Sequence, residues 1–134
     1  LDRFLRVRPR SGAEVLARLA RSGMEDEASR AVLKDLEGRG ILDDVRFARW
    51  WAEDRALSGK YGPGRVRSEL ETKGVAPELI EEALRGCYPD ERQREILRTQ
   101  LKMGKGALAR LAAKMVRNGF DEEMVAEIVL SSQP

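Results

Sequence analysis

Residues Leu42–Val75 read LDDVRFARWWAEDRALSGKYGPGRVRSELETKGV, and this stretch decides the fold. Asp43 or Asp44 is suited to cap a helix, because a short carboxylate can accept from the free amides of a first turn. That helix carries an apolar stripe of Phe47 with Trp50 and Trp51. Gly59-Lys60-Tyr61-Gly62-Pro63-Gly64 is a tight turn between two helices. Pro63 opens the second of them, where a missing N–H costs nothing. Val66 and Leu70 face inward at helical spacing, and Lys73-Gly74 closes the helix. Glu69 and Lys73, four apart, are expected to pair.

The same grammar extends outward. Helix formers dominate the 134 residues, and strict apolar–polar alternation is confined to Leu5-Arg6-Val7-Arg8. Ser11-Gly12-Ala13-Glu14 fits a capping box. Pro9, Pro77 and Pro89 precede periodic runs, and Gly23, Gly40, Gly74 and Gly119 stand where helices end. Asn118-Gly119 is a hairpin dipeptide by itself. Its flanks are helix-periodic, so it reads as a helix end followed by a new start.

Sliding the chain against itself exposes a repeat. Gly74-Val75 is preceded by Val66 and Leu70 and followed by Leu79, Ile80, Ala83 and Leu84. Gly119-Phe120 is preceded by Leu111 and Met115 and followed by Met124, Val125, Ile128 and Val129. Gly23-Met24 is preceded by Val15 and Leu19 and followed by Ala28, Val32 and Leu33. A further helix precedes each of the last two templates. The expected fold is all-α: tandem three-helix repeats in an elongated, curved array. The units run 1–41, with a truncated opening helix, then 42–87 and 88–134. Val15, Leu19, Phe47, Trp51, Val66, Leu70, Leu111 and Met115 are the expected core. Trp50, beside Trp51, is placed at a seam between units. Tyr61 is placed at that seam or against a partner.

Composition excludes several chemistries. The chain has no histidine and one cysteine, Cys87, so His-based catalysis, Cys-rich zinc sites and intrachain disulfides are excluded. Cys87 reads as a small half-buried hydrophobe. Lys102-Met103-Gly104-Lys105-Gly106 lacks the spacing of a phosphate-binding loop. The carboxylates show no pairing that suggests acid–base work. No apolar run reaches the ~20 residues of a membrane span. The chain opens on Leu1, as a trimmed chain would, without a signal-peptide pattern. The expectation is a cytoplasmic monomer that is not an enzyme, has no cofactor or metal, and does not enter membranes.

The net charge of +2 conceals sorting of 25 basic and 23 acidic residues. Third helices begin with acids: Glu25, Asp26 and Glu27; Glu78, Glu81 and Glu82; Asp121, Glu122 and Glu123. Second helices and their flanks are basic, which forms a stripe suited to a polyanion or an acidic protein groove. The candidate contacts are Arg18, Arg21, Lys60, Tyr61, Arg65, Arg67, Lys73, Lys102, Lys105, Arg110, Lys114 and Arg117. A solvated helix face is the simpler reading of any one charge run.

The opening stretch resembles the RecX family of bacterial regulators of the RecA recombinase. The resemblance rests on Leu42-Asp43-Asp44, Phe47-Ala48, Trp51, Arg55, Tyr61-Gly62-Pro63, Val66-Arg67, Glu69-Leu70 and Lys73-Gly74-Val75. Arg10-Ser11 with Glu14-Val15 is a weaker copy, and Gly64 stands where the family often carries a larger residue. The resemblance implies curved arrays of three-helix repeats that bind RecA filaments along the helical groove and touch single-stranded DNA, with weak direct DNA binding. It implies inhibition of ATP hydrolysis, strand exchange and co-protease activity, hence negative regulation of recombination, DNA repair and the SOS response. Two other readings stay open on the residues alone: a helix-turn-helix-like DNA-binding regulator independent of RecA, and a helical protein-binding adaptor.

Overall fold

The structure is a computed structural model, and it describes residues 1–132. Residues 133–134, the end of the third expected unit, lie outside the described residues. Among the described residues there are nine helices and no strand. They are α1 (Asp2–Val7), α2 (Gly12–Arg21), α3 (Asp26–Gly38), α4 (Asp44–Ser58), α5 (Pro63–Thr72), α6 (Pro77–Cys87), α7 (Asp90–Met103), α8 (Leu108–Arg117) and α9 (Glu122–Ser131). The short alternating run at Leu5–Arg8 lies in α1 and its C-cap, not in a strand. Gly23, Gly74 and Gly119 follow the ends of α2, α5 and α8 with positive φ, the conformation a side chain resists.

The fold is all-α, built from tandem three-helix repeats. The accessible surface is 8579 Å², against about 7,100 Å² for a compact monomer of 15.1 kDa. The excess marks a shape less compact than a single ball.

The core is not evenly shared. Val66, Leu70, Phe47, Leu97, Met115 and Ile128 belong to one continuous cluster spanning α4–α9. Val15 and Leu19 form a separate cluster with Leu42, flanked by half-buried Phe4, Leu5 and Leu33. The first three helices therefore carry their own small core, while the other six share one.

The sequence expectations for Trp51, Glu69 and Leu111 need correction. Trp50 is 37% exposed and packs beside Phe47 and Trp51. Trp51 is half-buried, because one side packs on the core while its ring faces cations from two units. Glu69 does not pair with Lys73: its carboxylate is taken by Trp51, Arg55 and Arg65, and Lys73 turns to Glu14. Leu111, like Trp51, packs against the shared core without full burial.

Candidate functional site

The second helices of the repeats, α2, α5 and α8, meet end to end. At one junction the Gly62 N–H donates to the Asn118 carbonyl at 2.8 Å, and the Gly64 N–H donates to the Gly119 carbonyl at 2.9 Å. The start of α5 thus receives the end of α8. At the other junction the Ser11 hydroxyl donates to the Lys73 carbonyl at 2.7 Å. The start of α2 receives the end of α5. Each contact satisfies a helix-end carbonyl that has no partner within its own helix. Each also sets the negative pole of one helix dipole against the positive pole of the next.

The two junctions differ in kind. The α8–α5 junction is made by backbone. A Cβ at Gly62 would lie 2.7 Å from the Gly119 carbonyl carbon, and one at Gly64 would lie 3.0 Å from the Gly119 oxygen. Larger residues would push the helices apart. Tyr88 braces this turn by donating its hydroxyl to the Tyr61 carbonyl at 2.8 Å, and burial pushes its phenol pKa up. Gln100 donates to the Gly59 carbonyl.

The α5–α2 junction is made by side chains. Ser11, fully buried, also accepts from the Glu14 amide, while Glu14 accepts from the Ser11 amide at 3.0 Å. The Glu14 carboxylate takes Arg8 at 2.5 Å and Lys73 at 3.3 Å. Burial pushes the Glu14 carboxyl up, but the hydrogen bonds from Arg8, Ser11 and Lys73 outweigh it and hold the pKa below the ordinary range. Asp44 accepts from the Gly12 amide at 2.9 Å, so it serves a helix of the preceding unit. Asp43 caps its own helix by accepting from Val45 and Arg46.

Charge pairing divides the twelve expected contacts. In the middle of the row three of the four cations are consumed by carboxylates. Arg67 clasps Glu81 at 2.8 and 3.0 Å, and that hydrogen bonding raises the Arg67 pKa and lowers that of Glu81. Arg65 pairs with Glu69 at 3.6 Å and stacks on Tyr61, and Lys73 pairs with Glu14. Lys60 lies over the Tyr61 ring at 5.4 Å. At the ends the cations are free. Among the described residues, Arg18 and Arg21 on α2, Lys102 and Lys105 before α8, and Arg110, Lys114 and Arg117 on α8 are exposed without a carboxylate partner.

Three residues of the Leu42–Val75 stretch, Trp51, Arg55 and Glu69, come together between α4 and α5. The indole N–H of Trp51 donates to Glu69 at 2.9 Å, Arg55 donates to the same oxygen at 3.1 Å, and Arg55 stacks on Trp51 at 4.5 Å. This constellation locks α4 to α5.

Comparison with known proteins settles the family. A family model of the second three-helix domain of RecX matches residues 43–84. The regulatory protein RecX of Mycobacterium avium (strain 104) is 33% identical over 138 residues, covering 96% of this chain and 80% of that protein. This chain belongs to the RecX family. The regulatory protein RecX of Geobacillus kaustophilus (strain HTA426) is likewise 33% identical, over 94% of this chain and 50% of that one. A crystal structure of RecX from Lactobacillus salivarius superposes with a TM-score of 0.86 at 17% identity, over 96% of this chain and 89% of the other. A second RecX crystal structure gives 0.80 at 22% identity, over 96% and 66%. These structures establish the shared fold. Membership in RecX gives this chain a regulatory role.

Sequence reasoning missed the polar junction of Ser11, Glu14 and Asp44 with α5. Asp44 was legible as a cap, but not as a cap for a helix thirty-two positions earlier. The doubled glycine around Pro63 was the available signal for the other junction, since starting a helix needs neither.

Proposed function

We propose that this chain is a non-enzymatic negative regulator of RecA-mediated recombination and the SOS response. It lies in the helical groove of a RecA–DNA filament and inhibits ATP hydrolysis, strand exchange and co-protease activity. The observation that supports this reading is the end-to-end row of α8, α5 and α2 with unpaired cations at its ends. Three ten-residue helices at 1.5 Å per residue supply about 45 Å of helix joined tip to tip. That is a shape for following a groove rather than filling a pocket. We take 1–41, 42–87 and 88–134 as the repeat units of the row. The setting is the cytoplasm, the active form is a monomer, and no cofactor is required. Among the described residues, no helix is long and apolar enough to cross a membrane.

A titration of RecA-dependent ATP hydrolysis on single-stranded DNA tests the proposal. Inhibition at substoichiometric to stoichiometric levels is expected, and an unchanged rate across the titration refutes it. A footprint at a specific duplex site in the absence of RecA would favour the helix-turn-helix-like alternative. The third helices argue against that alternative, because their acidic first turns would meet phosphates. Binding to a protein partner with no salt-sensitive DNA affinity would favour the adaptor.

A further inference from the structure

The first unit is joined to the rest of the protein by a thin, polar contact. Its core has three buried apolar side chains, Val15, Leu19 and Leu42, against twenty buried residues in the α4–α9 cluster, and no residue belongs to both. The hydrogen bonds that cross from α2 to α4 and α5 run from Ser11 to the Lys73 carbonyl, from Lys73 to Glu14 and from the Gly12 amide to Asp44. Ala13 lies against Gly74. Arg8 and Lys73 stand over the Trp51 ring at 5.7 and 5.2 Å. Beside this joint the two parts do not close on each other. A cleft of about 550 Å³ runs between them, bounded by Val7, Pro9 and Ile41 on one side and by Arg46 and Phe47 on the other.

The first core also carries a flaw at a position the other two units fill well. Ser29, Ile80 and Val125 each stand six residues after the glycine of their repeat, Gly23, Gly74 and Gly119. All three are buried, at 4%, 1% and 2% exposure. Ile80 and Val125 pack a branched aliphatic group there. The Ser29 hydroxyl has no hydrogen-bond partner among the described residues. A stranded hydroxyl has lost its water and gained nothing in return, so it weakens the unit that buries it.

We propose that the first unit is a separately opening arm, which undocks from α4 and α5 and loses its own structure while the α4–α9 body stays folded. The cleft and the polar joint leave little apolar surface to expose on undocking. Once undocked, a piece of about 40 residues is at the lower limit of what holds a core alone. Undocking and loss of α2–α3 structure are therefore one event, a local opening below the global one. The α8–α5 joint does not behave this way, because the helices it joins also share one apolar cluster. Opening separates Lys73 from Glu14 and removes Arg8 from the Trp51 ring. It thus adds a cation to the unpaired ones of the row and bares an aromatic face beside it.

The test is native-state hydrogen exchange of the full chain alone, read by mass spectrometry across a series of low urea concentrations. Amides of α2 and α3 should exchange at least about tenfold faster than those of α6 and α7. Their exchange should also depend less steeply on urea, because a local opening exposes less surface. Ser29→Ala removes the stranded hydroxyl and adds no volume. It should slow exchange in α2 and α3 about tenfold and leave α6 and α7 unchanged. Asp44→Ala deprives the Gly12 amide of its acceptor and should speed α2 and α3 by about the same factor. Asp44→Asn, which keeps an acceptor oxygen, should stay nearer the parent. Exchange of α2 and α3 no faster than that of α6 and α7 would overturn the proposal, since the chain would then open as one body. So would Ser29→Ala and Asp44→Ala effects spread equally over all four helices.

Discussion

The Gly64 amide donates to the Gly119 carbonyl across 2.9 Å, and no side chain intervenes. Positions fifty-five residues apart in sequence are thereby joined through the backbone, and the Asn118 side-chain amide adds a bond to the Lys60 carbonyl at 3.3 Å. The contact requires both positions to lack a Cβ. At Gly64 a Cβ would press on the Gly119 oxygen at 3.0 Å, and at Gly119 it would collide with the Arg65 amide nitrogen. Gly119 also holds φ at 102°, which an L side chain resists.

Gly119→Ala should therefore destabilise the protein by about 2–4 kcal/mol, combining left-handed strain with the collision. Gly23→Ala is the control: φ is 90°, but nothing lies within 4 Å of a new Cβ. It should cost about 1 kcal/mol. Urea unfolding of the two variants measures the difference, and equal losses would show that the close approach does not matter.

Glu14 ties α2 to α5 and should make the first junction acid-sensitive. Its folded pKa is depressed, so its stabilising contribution is present above the unfolded value near 4.5 and is lost as pH falls through the folded value. Glu14→Gln should cost about 1–2 kcal/mol at neutral pH, from the capping box and two ion pairs. The gap between variant and parent should close as the pH drops below about 4.5. Stability curves across pH 3–7 check both the size and the sign. A gap that widened in acid would contradict the geometry.

Paired and unpaired cations should separate in function. Charge reversal at Arg110, Lys114 and Arg117 should weaken inhibition of RecA-dependent ATP hydrolysis and leave the helical circular dichroism native. Arg67→Gln should do the opposite. It breaks the clasp on Glu81, both side chains being partly exposed, and costs about 0.5–1 kcal/mol of stability with inhibition retained. Unchanged inhibition after the triple reversal would remove α8 from the interface.

Cys87 should be a slow nucleophile. Burial raises its thiol pKa, the nearby Glu53 charge adds to that, and the thiol lies 3.7 Å from the Arg49 carbonyl. Alkylation at pH 8 should be at least about tenfold slower in the folded protein than in urea, because the thiolate is the reactive form. Equal rates would mean that the α4–α6 packing opens readily.

The amino-acid sequence by itself determined the helices, their ends and the threefold recurrence. Those depend on local chemistry: Ser11 at a capping position, prolines at first turns, glycines after last turns, and apolar residues three and four apart. It also determined the family, because the stretch from Leu42 to Val75 carries enough mixed residue types to be distinctive. Tertiary structure alone decided what those residues do. Asp43 and Asp44 are adjacent and chemically alike, yet one caps its own helix and the other caps α2 of the preceding unit. Arg67 and Arg110 are both second-helix arginines, yet one is spent on Glu81 and the other has no carboxylate partner among the described residues. A charge's availability depends on which carboxylate lies within about 4 Å, and for Lys73 and Glu14 that partner is fifty-nine residues away. Spacing along the chain reports neighbours on one helix. It does not report which helix end will meet which, and the basic face of this protein is set by those meetings.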